Sequence, residues 1–332
     1  MKTLIPLLFS CLSLIISQTV RAESLTFIAV GDTGTGKSGQ YRVAEAIASV
    51  CASRDCQFAI GLGDNIYENG AESSDDSEFI DKFEMPYIDL DFPFYMALGN
   101  HDNSHFDTGD GLNNFKGDFQ VDYHYRDDRI SDKWKMPARY YHFAMPENSE
   151  QPLADFLALD SNPIAGGLDW DYKFWRSRYT KEHRRWIRDT LKASKGQWKI
   201  AFSHHPYVSN GRHGNAGIYD GLAGQGKTWK KLTEDKLCGK IDLLITGHDH
   251  DLQWLAPKSG CDKTSFIVSG AGAKTRGLTN PHRNEAWYQA GDVLGFFVIT
   301  LNQETLTGEA FVVNPDTGEA TKTFTKTLTK QS

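Results

Sequence analysis

The sequence predicts an α/β (α+β) fold, in which antiparallel strands follow the alternating strands and helices. Three observations support this prediction. Short apolar runs alternate with segments in which apolar residues have helical spacing. Five of these runs end at a small residue, as buried strands do where a turn begins. After Gly270 the strand signals follow one another without a helix between them, which indicates antiparallel additions to a sheet.

The individual elements follow from these patterns in chain order. Strands are predicted at 25–30, 58–62, 94–98, 199–202, 243–246, 265–269, 295–301 and 309–313. Helices are predicted at 40–53, around Phe79 and Phe83, and at 181–193 and 229–237. The segment 103–135 has no clear period, so we expect an irregular active-site lid there. We expect residues 23–332 to form one domain.

The first 22 residues have the pattern of a secretory signal peptide. Lys2 precedes an apolar stretch at 4–16 that is too short to span a membrane, and a small-x-small sequence ends at Ala22. Cleavage there predicts a secreted or periplasmic protein, and an uncleaved anchor is the alternative. Cleavage removes Lys2 and Arg21 and no acid, so the formal charge changes from −7 to −9. An acidic chain does not favour nucleic acid or anionic membranes, so we expect neither as a partner. We also expect the protein to be a monomer.

Four cysteines remain after the predicted cleavage, at positions 51, 56, 238 and 261. An even number of cysteines in an oxidising compartment indicates disulfides. Three pairings are possible, and we favour Cys51–Cys56 with Cys238–Cys261 because each closes a short loop. Free buried thiols are the alternative.

Each of the five strands that end at a small residue is followed by a potential metal ligand. These ligands are Asp32, Asp64, Asn100, His204 and His248. In α/β sheets, binding sites lie where strands end at their carboxyl edge. The sequence therefore predicts that five strands deliver metal ligands to one edge of a sheet.

The spacing within two of the motifs adds two further candidates. Tyr67 lies three residues after Asp64, so one helical turn would point both side chains the same way. His250 lies two residues after His248, so an extended segment would place both imidazoles on one side. Carboxylate and phenolate oxygens suit a highly charged cation, and imidazole suits Fe and Zn. Seven side chains are more than one metal needs, but two metals that share a bridging carboxylate would use them all.

The motifs GDTG, GDNIY, GNHD, SHHP and GHDH, in this order, resemble those of the metallophosphoesterases. The Tyr in GDNIY narrows the resemblance to the purple acid phosphatases. The length of the chain and the spacing of its motifs are similar to those of the small tartrate-resistant type. The resemblance covers residues 25–273. It implies a metallophosphoesterase fold of two facing mixed β-sheets flanked by α-helices. It also implies an acid phosphatase that acts on small phosphate esters, with nucleotides and phosphoproteins as further candidate substrates.

The same resemblance implies two metals per chain, Fe(III) and a divalent ion that is Fe, Zn or Mn. The Fe(III) ligands would be Asp32, Tyr67 and His250. The ligands of the divalent ion would be Asn100, His204 and His248, and Asp64 would bridge the two ions. His205 stands where a Tyr is common in the family, and Pro206 favours His204 as the ligand of the adjacent pair.

Two further histidines match positions that contact phosphate in the family, His101 and His213. We expect both to be catalytic and to bind substrate together with Asn100. A metal-bound hydroxide would attack phosphorus in line, and a protonated histidine would stabilise the developing charge or protonate the leaving group. Activity should therefore have an acid optimum, and the phenolate of Tyr67 should give iron a visible charge-transfer band.

Two other readings of the chain predict different functions. Residues 31–38, GDTGTGKS, match the P-loop pattern between a strand and a helix, which is typical of NTPases. That interpretation leaves Asp64, Tyr67 and the two histidines of GHDH unexplained. A non-catalytic protein that binds metal or phosphate is the second alternative.

Overall fold

A computed structural model describes residues 24–106, 108–166 and 173–330. The predicted signal peptide, residues 1–22, lies outside the described residues. Within the described ranges the strands, numbered in chain order, are β1 Leu25–Val30, β2 Cys56–Leu62, β3 Phe94–Ala97, β4 Trp134–Lys135, β5 Tyr141–Met145, β6 Ala154–Ala158, β7 Trp198–Phe202, β8 Leu243–Thr246, β9 Leu252–Leu255, β10 Ser265–Ser269, β11 Ala286–Ala290, β12 Leu294–Leu301, β13 Thr305–Val313 and β14 Ala320–Thr329.

The helices cover the outer faces and the connections between strands. They are α1 Ser38–Cys51, α2 Lys116–His124, α3 Asn162–Ala165, α4 Lys173–Ala193 and α5 Lys227–Lys236. A π-helical turn forms at Ile80–Glu84, and 3₁₀ turns form at His101–Asn103 and Tyr219–Gly221. Among the described residues, no helix combines the length and apolar character that crossing a bilayer requires.

The strands form two seven-stranded mixed sheets, in the orders β14-β13-β12-β1-β2-β3-β4 and β11-β9-β10-β8-β7-β6-β5. β1 pairs in parallel with β2 and antiparallel with β12, so the first strand is central in its sheet. Phenylalanine rings join the two sheets. Phe27 and Phe58 both contact the ring of Phe156, each at 5.2 Å between centroids. The predicted arrangement of two facing mixed sheets flanked by helices is confirmed.

Most predicted elements are confirmed with small changes at their ends. The predicted strands 25–30, 243–246 and 265–269 have these bounds in the structure. The strands after Gly270 pair antiparallel, as expected. Helix α1 buries the predicted face of Val43, Ala44, Ile47 and Val50. Helix α4 begins eight residues before the predicted start, at Lys173.

The expectation of an irregular segment at 103–135 is wrong, because this segment contains α2 and β4. The buried residues of α2 include Lys116, Gln120 and Tyr123, which have helical spacing but are mostly polar. A search for periodic apolar residues cannot detect a helix whose buried face makes hydrogen bonds. Of the described residues of this segment, Thr108, Gly109 and Asp110 line a cavity that also contains several of the predicted ligands.

The cysteines pair as predicted. Disulfides join Cys51 to Cys56 and Cys238 to Cys261, with Cα–Cα distances of 5.3 and 4.5 Å. The first connects the end of α1 to the start of β2, and the second connects the end of α5 to the loop before β10. Both therefore brace the connections that lead into strands of the two sheets.

Candidate metal centre

The predicted ligands follow the carboxyl ends of five strands that come from both sheets. Asp32 follows β1, Asp64 follows β2 and Asn100 follows β3 in one sheet. His204 follows β7 and His248 follows β8 in the other sheet. The parallel pairs β1–β2, β2–β3 and β7–β8 place these ends along one edge of the molecule. The site therefore lies at the junction of the two sheets.

The turns that carry the ligands have an unusual backbone. Asp32, Asp64 and His248 have φ values of 58°, 54° and 72°, in the left-handed region that non-glycine residues seldom adopt. Such a conformation costs roughly 1 kcal/mol or more per residue and is most often found at functional sites. A Cβ atom on Gly99 would lie 2.2 Å from Oδ1 of Asp64, so glycine is needed before Asn100. The sequence pattern of a glycine before a ligand thus has a steric cause.

One group of ligands gathers around the phenol of Tyr67. Its hydroxyl donates to Oδ1 of Asp32 at 3.1 Å and lies 3.3 Å from Nε2 of His250. The same His250 nitrogen lies 3.4 Å from Oδ1 of Asp32. We call Asp32, Tyr67 and His250 the phenol cluster. Burial, followed by the charge of Asp32, raises the pKa of Tyr67 well above its usual value, so the phenol keeps its proton unless a cation replaces it.

A second group gathers around His204. Its Nε2 lies 2.8 Å from Oδ1 of Asn100 and 3.1 Å from Nδ1 of His248. Oδ1 of Asp64 lies 3.4 Å from the same Nε2 atom. We call Asn100, His204 and His248 the imidazole cluster. Potential ligand atoms of Asp32, Asp64 and His204 all lie within 4.8 Å of one another, so Asp64 is near both clusters.

Two features prepare the imidazoles to bind metals. Nδ1 of His204 donates to the carbonyl of Leu62 at 2.8 Å, which leaves Nε2 directed into the cluster. Burial lowers the pKa of His250 to about 3 and that of His248 well below its usual value. His248 and His250 are therefore uncharged across the physiological range.

The carboxylates of the site are buried, and among the described residues neither forms an ion pair with a lysine or an arginine. Asp32 is 0% exposed and Asp64 is 1% exposed. Burial raises the pKa of Asp32 to about 7, and the charge of Asp64 adds to that increase. Buried charge of this kind is stable only when it is paired or bound to metal. The oxygen and nitrogen donors present therefore fit two metal ions, and the lone pairs already converge on one space.

His101 lies beside the phenol cluster, and His213 lies beside the imidazole cluster. The backbone N–H of His101 donates to Oδ1 of Asp64 at 2.9 Å, and its ring contacts Tyr67 at 4.4 Å between centroids. The ring of His213 stacks on His248 at 4.0 Å. Both histidines line a cavity of about 330 Å³. Burial opposes protonation of His213, but its 2.7 Å hydrogen bond with Asp220 and the charges of Asp249 and Asp220 together outweigh burial, so its pKa is raised.

His205 occupies a different position from its neighbour His204. Its Nδ1 lies 2.9 Å from Oγ of Ser161, and its ring lines the cavity beside His248 at 4.6 Å between centroids. The shortest contacts with Asn100 and His248 are made by His204. Of the adjacent pair, His204 is thus the residue placed among the other candidate ligands.

Asp102 also belongs to the site, as a residue that orients the ligand-bearing loops, and the sequence analysis did not identify it. Its carboxylate accepts the backbone N–H groups of Asn65, Ile66 and Gly99 at 2.7 to 3.0 Å. Gln120 of α2 donates to it as well, at 2.7 Å. Asp102 thus ties together the loops that carry Asp64, Tyr67 and Asn100. It stands in the GNHD motif, but the sequence does not indicate that this acid faces the backbone.

The residues that match the P-loop pattern do not form a phosphate-binding loop. The N–H groups of Asp32 and Gly34 donate to the carbonyls of Gly63 and Asp64, and that of Gly36 donates to Gln40. Lys37 is exposed, whereas Asp32 of the same segment is buried. A P-loop needs free N–H groups that cradle phosphate, so the structure does not support this alternative.

Comparison with known proteins identifies the class to which this arrangement belongs. The family model described as calcineurin-like phosphoesterase matches residues 25–252, which include every candidate ligand. The chain belongs to this family. It is a purple acid phosphatase-like metallophosphoesterase, and thus a phosphatase hydrolase.

Two curated relatives narrow the comparison. Purple acid phosphatase 17 of Arabidopsis thaliana is 29% identical over 275 residues, which cover 78% of this chain and 71% of the relative. Tartrate-resistant acid phosphatase type 5 of Sus scrofa is 28% identical over 272 residues, which cover 77% of this chain and 72% of the relative.

A solved structure shares the fold at lower identity. It is described as GAP50, the anchor in the inner membrane complex of Plasmodium, and is 19% identical with a TM-score of 0.73. The match covers 94% of this chain and 90% of that one. At this identity the likeness concerns the fold alone.

Proposed function

We propose that the chain is a secreted or periplasmic acid phosphatase that hydrolyses phosphate monoesters at a binuclear centre of Fe(III) and a divalent ion. The observation that carries the proposal is the convergence of the phenol cluster and the imidazole cluster, with Asp64 near both. Residues 23–332 would form one domain and act as a monomer. Small phosphate esters are the proposed substrates, with nucleotides and phosphoproteins as further candidates.

The two clusters differ in the ions that they would hold. Asp32, Tyr67 and His250 offer two groups that can become anionic, which suits Fe(III). Asn100, His204 and His248 offer neutral donors, which suit divalent Fe, Zn or Mn, and Asp64 would bridge. When bound, the ions would act as Lewis acids toward phosphate oxygens and would make water nucleophilic in mild acid.

His101 and His213 would bind the phosphate oxygens from the two ends of the cavity. Nδ1 of His101 donates to the carbonyl of Glu68 at 2.6 Å, which orients Nε2 toward the cavity. Nδ1 of His213 is fixed by Asp220, and its Nε2 lies at the cavity wall, 3.1 Å from Nη1 of Arg276. When protonated, either ring would donate to an oxygen that gains charge, or to the leaving group. The turnover rate should then fall as His213, whose pKa is raised, loses its proton with rising pH.

Metal analysis, a visible spectrum and a substrate panel test the proposal together. Purified protein should contain two metal ions per chain, of which one is iron, and should be coloured. It should hydrolyse several phosphomonoesters faster than a diester. Protein with both ions that is colourless, or that hydrolyses no phosphomonoester, would contradict the proposal.

The P-loop alternative predicts the opposite ranking of two variants of one loop. Lys37→Ala should keep most phosphatase activity because Lys37 is exposed and is not among the residues that line the cavity. Asp32→Ala should lose iron and nearly all activity. A P-loop enzyme would instead depend on Lys37 and on added Mg²⁺.

A further inference from the structure

We propose that Arg276 and Arg212 form a second anion-binding site in the wall of the catalytic cavity. This site would select phosphate esters whose leaving group carries a further anionic group, a phosphate or a carboxylate. The inference rests on the proposed function, and it assigns a substrate class to the same cavity. Both arginines are among the residues that line the cavity.

Arg276 is placed by its own backbone. Its N–H donates to the carbonyl of His250 at 2.9 Å, and its carbonyl accepts the N–H of Asp292 at 3.0 Å. These bonds fix the loop after β10 beside the phenol cluster. The guanidinium Nη1 then lies 3.1 Å from Nε2 of His213. Arg276 therefore lines the cavity next to His213, the histidine that is proposed to contact phosphate.

The charges of the two guanidinium groups help to lower the pKa of Asp220, but neither group is directly paired with a carboxylate of the described residues. No carboxylate of residues 24–106, 108–166 or 173–330 forms an ion pair with Arg276 or Arg212. The guanidinium of Arg283, by contrast, is used within the protein, because its Nη1 donates to the carbonyls of Ser209 and Gly211. A guanidinium that borders a cavity and has no carboxylate partner is suited to bidentate binding of phosphate or carboxylate.

The acidic residues of the cavity wall are already committed to other groups. Asp110 accepts the backbone N–H groups of His105, Phe106 and Leu112 at 2.7 to 3.0 Å. Asp220 is hydrogen-bonded to His213. Beyond the candidate metal ligands, the arginines are therefore the charged groups of the wall that remain available to a ligand.

The position of Arg276 places this site next to that of the reacting phosphate. The ring of His213 stacks on His248, a candidate metal ligand, and Nη1 of Arg276 lies 3.1 Å from Nε2 of the same ring. An anion bound by Arg276 would therefore lie beside a phosphate bound by Nε2 of His213, because that atom borders both. A leaving group with a second anionic group would place that group on Arg276 while the reacting phosphate contacts His213.

Two probes of equal shape isolate the effect of charge. 4-Carboxyphenyl phosphate and 4-carbamoylphenyl phosphate differ by one negative charge, and both carry a single hydrolysable phosphate. In the wild type, kcat/KM should favour the carboxylate probe by about tenfold, the scale of one hydrogen bond to a charged group. In Arg276→Gln this ratio should fall to near one, and Arg212→Gln should lower it less because Arg212 is exposed.

Arg188→Gln is the matched control for net charge. Arg188 lies on α4, has a side chain that is 59% exposed, and pairs with Asp189. Its substitution removes the same charge at a residue that does not line the cavity. It should leave the ratio unchanged. Because each ratio is formed within one variant, a general loss of activity from moving His213 cancels. A ratio that stays at its wild-type value in both Arg276→Gln and Arg212→Gln would overturn the inference.

A binding measurement distinguishes failure of this inference from failure of the proposed function. Calorimetry of metal-loaded protein should show that inorganic pyrophosphate binds about tenfold more tightly than inorganic phosphate, and that Arg276→Gln removes this difference. If the wild type hydrolyses neither probe, the proposed function is wrong and the pyrophosphate titration alone decides the anion site. Equal binding of the two anions by the wild type would overturn the anion site while phosphatase activity stands.

Discussion

The two halves of the candidate metal centre are built from different chemistry, although strands of both sheets meet there. The phenol cluster combines a carboxyl, a phenol and one imidazole, whereas the imidazole cluster combines an amide and two neutral imidazoles. The first can carry two negative charges and the second carries none. The difference teaches that the protein offers two unequal sites, so a more highly charged ion is expected on the phenol side.

The surroundings repeat this asymmetry. On the phenol side, Nζ of Lys274 lies 3.6 Å from the centroid of the Tyr67 ring and pairs with Glu68 at 3.0 Å. On the imidazole side, the rings of His205 and His213 pack against His248. A cation next to the phenol stabilises its anionic form, whereas burial and then the charges of His213 and His205 lower the pKa of His248 and keep it neutral. Each cluster therefore has neighbours that suit the charge it carries.

The largest effect should come from the residue near both clusters. Asp64→Asn should lower the content of both ions and reduce turnover by about a thousandfold or more, since Lewis-acid stabilisation is worth several kcal/mol. Asn100→Ala should chiefly lower the divalent ion. Metal counts by mass spectrometry check both variants. Equal loss of both ions in Asn100→Ala, with Asp64→Asn unaffected, would break the distinction between the clusters.

The next effect concerns the histidines that lie beside the clusters without being candidate ligands. His101→Ala and His213→Ala should each keep both metals and lose on the order of a hundredfold in turnover, the scale of one acid–base group. Inhibition by phosphate should also weaken. Steady-state kinetics together with metal counts provide the check. Near-normal turnover in both variants would exclude them from the mechanism.

Colour distinguishes the two clusters directly. Tyr67 supplies the phenol of the phenol cluster, so Tyr67→Phe should abolish the charge-transfer band and leave the fold unchanged. The visible spectrum reports the band, and far-ultraviolet circular dichroism is the control for folding. An iron-loaded Tyr67→Phe protein that stays coloured would show that the phenolate lies elsewhere.

The smallest effect should come from the neighbour of that phenol. Lys274→Gln removes the cation over the Tyr67 ring, so the band should shift in wavelength while metal content stays the same. The control is Lys326→Gln, because Lys326 lies at a similar 3.7 Å from the ring of Trp287. Its spectrum should match the wild type. An unchanged band in Lys274→Gln would show that this side chain does not tune the phenol.

The sequence predicts the ligand-bearing strands well because each signal is local. A buried strand, a small residue and a donor atom follow one another within a few residues, as at Gly63-Asp64 and Gly247-His248. Close packing explains the small residue, since a Cβ atom on Gly247 would lie 2.5 Å from Oδ2 of Asp32. The pairing of β1 with β12 joins Leu25 to Leu301, and no local pattern contains that information.

The remaining parts of the site depend on contacts that have no sequence period. Helix α2 is held by Gln120, which donates to Asp102 and accepts from Asn65. Arg276 enters the cavity from a loop without a motif. The assignment of individual roles to Asp32, Tyr67 and the other ligands stays a prediction, although the structure brings these side chains together.

The direction of the strands fixes how this molecule could be attached to something else. β1 runs toward the metal centre, so its first residue, Leu25, lies about 20 Å away at the other edge of the sheet. β14 runs the opposite way, and its last residue pairs with Thr305 at that same far edge. Three strand spacings, about 14 Å, separate the two points. A tag, a fusion partner or a solid support joined at either point would therefore sit behind the molecule, and the catalytic cavity would face the solution.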